Sequence, residues 1–279
     1  MTIDPWLDRE YDTVATVPSL APYATAFVER SLATRARYAP EIDVAYGDHP
    51  RERLDLFPAS AAGSPLVLFV HGGYWRRFSK DEFAFTIAPY VARGCAAAVI
   101  SYPLAPEATL DEIVASVRRA VLWLHANVAR TRAASGRIVA AGHSAGGQLV
   151  GMLAAMDWRA HGLEDGAAPL ETIVPISGLF DLEPLLRTRV NEWLHADDAI
   201  ARRNSPIRLA APGGIGLIAG VGSAESSEFR RQTHAYADHW RASGGAVAKI
   251  ECAARNHFDV LEELADAGGS LARAIFQRM

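Results

Sequence analysis

The sequence predicts an α/β fold, a mostly parallel sheet of eight strands with helices on both faces, and three observations predict it. Strand-like segments recur along the 279 residues at 41–46, 53–58, 65–70, 95–102, 137–141, 172–177, 214–222 and 246–253. From residue 65 onward these segments are continuous apolar runs, such as Pro65-Leu66-Val67-Leu68-Phe69-Val70, the pattern of strands covered on both faces. Between them lie amphipathic stretches at 110–129, 148–157, 225–242 and 258–277, so the order is β-α-β-α, as parallel strands with helical crossovers require. In such sheets ligands bind at the carboxyl ends of the strands.

Taken in order, residues 1–40 read as helical, with breaks at Pro5, Pro18, Pro22 and Pro40. The segments 41–46 and 53–58 alternate apolar with polar residues across the polar turn Gly47-Asp48-His49-Pro50, which predicts an antiparallel hairpin at a sheet edge. The strand at 137–141 runs straight through Gly142-His143-Ser144-Ala145-Gly146 into a helix. Residues 178–212, with Trp193, Asp197-Asp198 and Ser205-Pro206, form an insertion outside the β-α rhythm. Both 1–40 and 178–212 are placed either over the mouth of a site or along the sheet's flank. A hydrophobic content of 50% is ample for one large core, and a single domain over 1–279 is expected.

The bulk numbers exclude several function classes. A net charge of -4 from 28 basic and 32 acidic residues, interleaved along the chain, leaves no footprint for nucleic acid or a membrane surface. The expected partner is a small-molecule substrate, with a homodimer left open. No apolar run reaches membrane-spanning length, and Met1 to Tyr11 is acidic without a leader pattern, so a cytoplasmic location is expected. Cys95 and Cys252 sit in apolar strand-like runs, as buried thiols do. Gly213-Gly214-Ile215-Gly216 precedes a strand, so it is no dinucleotide fingerprint, and P-loop, His-Glu-x-x-His and Cys-x-x-Cys motifs are absent. No cofactor and no metal are expected.

The chemistry is carried by Gly142-x-Ser144-x-Gly146, set between strand and helix. Such a turn is so sharp that flanking side chains would collide, and glycines there leave a serine hydroxyl exposed. A serine becomes a nucleophile when a base takes its proton, and that base needs an acid to hold its tautomer. In this kind of sheet the chain order is serine, acid, histidine at successive strand ends. Glu225 follows the strand ending at Gly222, and His257 follows the strand ending near Ala253. His257 is the expected base and Glu225 its acid, with Glu228 and Asp181 as competing carboxylates. Asp181 also reads as a helix cap before Pro184, and Asp259 as compensation of a helix dipole.

Attack on an acyl carbon puts negative charge on its oxygen, which backbone N–H groups must meet. The loop His71-Gly72-Gly73-Tyr74-Trp75 supplies them after the strand 65–70, with Gly73 and Tyr74 as donors, Gly72 letting the loop curl, and Ala145 as the donor beyond the nucleophile. Tyr74, Trp75 and Phe180 are expected as an aromatic substrate wall.

These motifs resemble those of a known family. His71-Gly72-Gly73-Tyr74-Trp75, Ser101-Tyr102-Pro103-Leu104-Ala105-Pro106-Glu107, Gly142-His143-Ser144-Ala145-Gly146-Gly147, Ser177-Gly178-Leu179-Phe180-Asp181-Leu182-Glu183-Pro184 and Asn256-His257-Phe258-Asp259 are similar to motifs of α/β-hydrolases. Within the hormone-sensitive-lipase-like group they resemble the kynurenine formamidase (arylformamidase) branch, whose loop carries Trp where nearby esterases carry a third glycine. The resemblance implies the α/β-hydrolase fold, a triad of Ser144, Glu225 and His257, and hydrolysis of an N-formyl arylamine to formate and amine. Glu225 stands where that branch usually has Asp. A carboxylesterase for short-chain esters is the alternative, and a non-catalytic ligand-binding homologue the third.

Overall fold

The computed structural model describes residues 2–163, 169–211 and 213–279. Residues 1 and 212, the outermost positions of the two segments expected outside the sheet, lie outside the described residues. Eight strands form one sheet: β1 Glu41–Ala45, β2 Arg53–Phe57, β3 Ser64–Val70, β4 Ala96–Ile100, β5 Ala133–His143, β6 Leu170–Ile176, β7 Gly216–Gly222 and β8 Val247–Cys252. Their spatial order is β1-β2-β4-β3-β5-β6-β7-β8. The pairs β1–β2 and β2–β4 are antiparallel and all later pairs parallel, so the predicted hairpin forms one edge.

Period-two alternation with both faces covered explains the apolar strands. Leu66, Leu68 and Val70 of β3 enter one core, while Val67 and Phe69 enter the other. The first core lies under helices α3 (Leu110–Ala126), α4 (Ala145–Ala154) and α5 (Ser227–Ala242). The second lies under α2 (Ala21–Tyr38) and the carboxyl-terminal α6 (Ser270–Phe276). A further short helix, α1, spans Pro5–Glu10 and is capped by the Asp4 carboxylate. Thr109 and Glu112 cap α3 reciprocally, Thr109 Oγ1 accepting from the Glu112 amide at 3.3 Å and Glu112 Oε2 from the Thr109 amide at 2.8 Å.

Two segments differ from the sequence expectation. The stretch expected as one helix over 258–277 is a 3₁₀ turn at Asp259–Leu261, a short helix at Glu262–Ala265 and then α6. Gly268 and Gly269 break it, and a Cβ on Gly269 would sit 2.4 Å from the Glu263 carbonyl oxygen. Between β3 and β4, where no helix was expected, the chain makes 3₁₀ turns at Lys80–Glu82 and Ala84–Ile87 and a short helix at Ala88–Val91.

The strand order places the site. From β3 the chain moves outward to β4 and then returns past β3 to β5, so crossovers leave toward opposite sides and open a crevice at the carboxyl ends of β3 and β5. The His71 loop and Ser144 occupy those two ends.

Candidate active site

Ser144 sits at the turn from β5 into α4 with φ 57° and ψ -120°, a conformation that side chains rarely adopt and that aims its hydroxyl away from both elements. Only glycine fits at 146: a Cβ there would lie 2.1 Å from the Val70 carbonyl oxygen and 2.5 Å from that of His71. The amide of Ser144 donates to the Ile176 carbonyl at 2.8 Å, fixing the turn to β6.

His257 and Glu225, each just beyond a later strand, meet this serine. His257 Nε2 is 3.0 Å from Ser144 Oγ, and His257 Nδ1 is 2.6 Å from Glu225 Oε2. The other Glu225 oxygen accepts from Ser177 Oγ at 2.5 Å and from the Gly222 amide at 2.7 Å. All of these side chains are buried, so the carboxylate is fixed by three donors before it acts on the imidazole. The competing carboxylates are engaged elsewhere. Glu228 accepts from Tyr11 Oη at 2.7 Å and pairs with Arg231, and Asp181 faces Arg208. Asp259 accepts from the Asn256 amide at 2.6 Å.

His143 and Ser177 were not expected to contribute. Burial, followed by the neighbouring His257, pushes the His143 imidazole well below its usual range, and its Nε2–H donates to the His257 carbonyl at 2.8 Å. The pattern that could have revealed Ser177 is its position at the end of β6, beside the strand that leads to Glu225.

The loop after β3 runs through Gly73 at φ 100°, Tyr74 at 50° and Trp75 at 57°. A Cβ on Gly72 would lie 3.0 Å from Ser144 Cβ, so the missing side chain brings the loop against the serine. Among the described residues no acceptor meets the N–H groups of Gly73, Tyr74 or Ala145, and Ala145 begins α4, where the helix dipole favours negative charge. His71, behind the loop, donates from Nδ1 to the Gly72 carbonyl at 2.8 Å and stacks on Tyr102 at 4.2 Å. Burial pushes its imidazole down to about 3, so it stays neutral.

Above Ser144 and His257 lies a cavity of about 390 Å³. Its apolar wall is Leu20, Phe27, Phe78, Phe83 and Phe258, with Tyr11, Tyr74 and Trp193 at the sides. Both segments outside the sheet line it, 2–40 through Tyr11 and Phe27 and the insertion through Arg189 and Trp193. Two members of the expected aromatic wall do not. The turned backbone at Trp75 sends its ring beneath the loop, where it is fully buried and its Nε1–H donates to Gln148 Oε1 at 3.0 Å. Phe180 is likewise buried, stacked at 4.2 Å on Tyr236. Phe27, Phe78, Phe83, Phe258 and Trp193 take their place. Cys95 and Cys252 are buried free thiols. Among the described residues no group of three or more His, Cys, Asp or Glu could hold a metal ion, and no helix is long and apolar enough to cross a membrane.

Known proteins resemble this chain in sequence and in fold. The BD-FAE family pattern matches residues 54–199. A kynurenine formamidase of Danio rerio is 32% identical over 243 residues, covering 85% of this chain and 80% of the relative. The chain belongs to the kynurenine formamidase family of α/β-hydrolases. A kynurenine formamidase of Salmo salar is 29% identical and covers 92% of the chain and 88% of the relative. Among solved structures, a Silicibacter protein described as a thioesterase superposes with a TM-score of 0.86 at 31% identity, covering 97% of this chain and 98% of that one. An esterase of Pyrobaculum calidifontis shares the fold, with a TM-score of 0.69 at 18% identity over 99% of this chain and 98% of that one. As a member of this family the protein is a hydrolase acting on small molecules.

Proposed function

We propose that the protein is an arylformamidase-like serine hydrolase, cleaving an N-formyl arylamine such as N-formylkynurenine to formate and the free amine. The observation that carries this reading is the hydrogen-bonded series Glu225–His257–Ser144 at 2.6 and 3.0 Å, opening into an aromatic cavity of about 390 Å³. That volume lies within the range of small-ligand sites and suits a single substituted aryl ring. Ser144 Oγ attacks the formyl carbon while His257 Nε2 takes its proton. The oxyanion receives the N–H groups of Gly73, Tyr74 and Ala145, each contributing roughly 2.7–4 kcal/mol in the transition state. Imidazolium then delivers the proton to the leaving amine, and Glu225 stabilises that charge. Water, deprotonated by His257, releases formate from the formyl-serine and restores the hydroxyl.

The test is kcat/KM on N-formylkynurenine beside p-nitrophenyl acetate and p-nitrophenyl butyrate, with Ser144→Ala as background. A formamide preference of about 100-fold, or about 2.7 kcal/mol in the transition state, establishes the formamidase reading. Ester turnover without deformylation makes the protein a carboxylesterase. A folded protein whose Ser144 takes no fluorophosphonate label overturns the hydrolytic role of this site.

A further inference from the structure

His143 stands beside both the nucleophile and the base, and only one of its ring nitrogens is used within the protein. Its Nε2 is 2.8 Å from the His257 carbonyl oxygen, which can only accept, so Nε2 carries the ring proton and Nδ1 bears a lone pair. Burial, followed by the neighbouring His257, keeps the ring neutral. Among the described residues Nδ1 has no hydrogen-bond partner. The ring is only 5% exposed, yet it lines the cavity, and Nδ1 is not sealed in protein. A Cβ on Gly72 would lie 3.0 Å from Ser144 Cβ and 3.3 Å from His143 Nδ1, so the nucleophile and this lone pair flank one space beside Gly72.

A neutral imidazole nitrogen is a strong acceptor and takes a donor wherever one can reach it. Other acceptors around Ser144 are already taken. The Gly72 carbonyl accepts from His71, the Gly73 carbonyl from the amides of Arg76 and Arg77, and the Tyr74 carbonyl from Trp193. Both Glu225 oxygens are engaged as well. A donor that fits is carried by one class of substrate: a secondary formamide has an N–H on the atom that leaves, whereas an ester oxygen has none. When Ser144 Oγ bonds to the formyl carbon, its proton passes to His257 Nε2. The nitrogen then becomes pyramidal and turns its lone pair toward that proton, which swings its own N–H away from His257 Nε2. The rings of His143 and His257 lie 4.7 Å apart, so Nδ1 flanks the leaving nitrogen, two bonds beyond Oγ. On collapse His257 delivers its proton to the nitrogen lone pair, the C–N bond breaks with its electron pair left on nitrogen, and the oxyanion re-forms the carbonyl. The original N–H is never transferred: Nδ1 accepts a hydrogen bond and no proton.

We propose that His143 Nδ1 accepts the N–H of the scissile formamide, and that this hydrogen bond selects secondary formamides over esters. His143 is thereby a catalytic residue for the leaving group, outside the triad. This rests on the reading of the cavity as a formamidase site and deepens it. Because the nitrogen is flat in the bound substrate and pyramidal only after attack, the bond is best aligned in the transition state, where it accelerates the reaction.

Formanilide and benzyl formate test it. Both pass through the same formyl-serine and both leaving groups need the proton of His257, but formanilide alone has an N–H on the leaving atom. Neither carries an ortho ketone, which would itself accept that N–H. The quantity read is kcat/KM for formate release, with Ser144→Ala as background. His143→Gln keeps a donor for the His257 carbonyl and loses the acceptor, so the formanilide-to-ester ratio falls at least about tenfold. His143→Asn places a carbonyl oxygen near the position of Nδ1 and loses the tether to His257, so the ratio stays within about threefold of wild type. Because each ratio is taken within one protein preparation, partial misfolding of a variant cancels. A ratio unchanged in His143→Gln overturns the assignment and leaves the formamidase reading standing. So does a ratio that falls as far in His143→Asn as in His143→Gln, since the tether then accounts for the loss. Turnover of benzyl formate without turnover of formanilide also overturns the assignment, and N-formylkynurenine then judges the formamidase reading separately. No turnover of any of the three compounds refutes the hydrolytic reading and the assignment with it.

Discussion

Replacing Glu225 with Gln separates the orienting role of the carboxylate from its volume. In the native arrangement one oxygen accepts from Ser177 and Gly222, while the other accepts the Nδ1–H of His257 at 2.6 Å. The Gln carbonyl keeps the place between Ser177 and Gly222, because the Gly222 amide can only donate and does not tolerate an NH₂. Its NH₂ then faces Nδ1. The imidazole answers by moving its proton to Nε2, the nitrogen 3.0 Å from Ser144 Oγ, and can no longer accept the serine proton. Loss of the tautomer together with the charge that stabilises imidazolium costs about 10³–10⁴ in kcat, or about 4–5.5 kcal/mol. The assay is kcat and kcat/KM on an aryl formamide and on p-nitrophenyl acetate, with circular dichroism and a urea midpoint as controls for folding. Glu228→Gln is the contrast, since Glu228 is bound to Tyr11 and Arg231 and faces no imidazole nitrogen. Activity of Glu225→Gln within about tenfold of wild type refutes the reasoning.

Gly146→Ala sets a Cβ 2.1 Å from a backbone oxygen of β3, so the elbow must shift; a stability loss of at least about 3 kcal/mol and loss of activity are expected in urea titration and turnover. The His71 imidazole is held down to about 3 by burial, whereas an unfolded chain titrates near its ordinary value of about 6.5. Between those values the unfolded state binds the extra proton, so this contribution makes stability fall as pH drops below about 6.5, with the loss complete below about 3. His71→Phe, which keeps the stack on Tyr102, is expected to flatten the fall of the urea midpoint between pH 7 and about 4; an unchanged slope rejects the argument. Tyr74→Phe removes the hydroxyl that donates to the Tyr11 carbonyl and loosens the oxyanion loop, so kcat should fall about tenfold with KM little altered, whereas a purely structural tether would lower only the melting temperature.

What was legible in the sequence is what short-range geometry dictates. Apolar runs alternating into two cores marked the parallel strands, and the glycine at 146 announced a turn that no side chain can enter. The order Ser144, Glu225, His257 could be placed at strand ends because each follows an apolar run directly. Side-chain direction on loops could not. Trp75 turns inward because Tyr74 and Trp75 both adopt positive φ, which nothing in their identity announces. Nor could the bonds that join distant segments: Tyr11 and Glu228 meet across 217 residues, and Trp193 reaches the Tyr74 carbonyl across 119. The bent segment between β3 and β4 lacks a helical period because Phe83, Phe85 and Ile87 alternate as a strand would, yet Ala84–Ile87 forms a 3₁₀ turn buried with Phe27 of α2.

Tyr11 is bound through its hydroxyl to Glu228 and Gln232 and through its carbonyl to Tyr74, and Ser226 Oγ donates to the Glu10 carbonyl at 2.6 Å. The reacting groups are rooted in the sheet, whereas the panel opposite them is a separate segment, fastened by these polar bonds and by the buried Leu7, Tyr11 and Phe27. Such a division lets the two parts drift at different rates over evolutionary time. Substitutions within 2–40 can recontour the chamber and retune which leaving groups enter, while Ser144, Glu225 and His257 keep their spacing. New selectivity then arises by exchanging the facing, with the machinery behind it inherited whole.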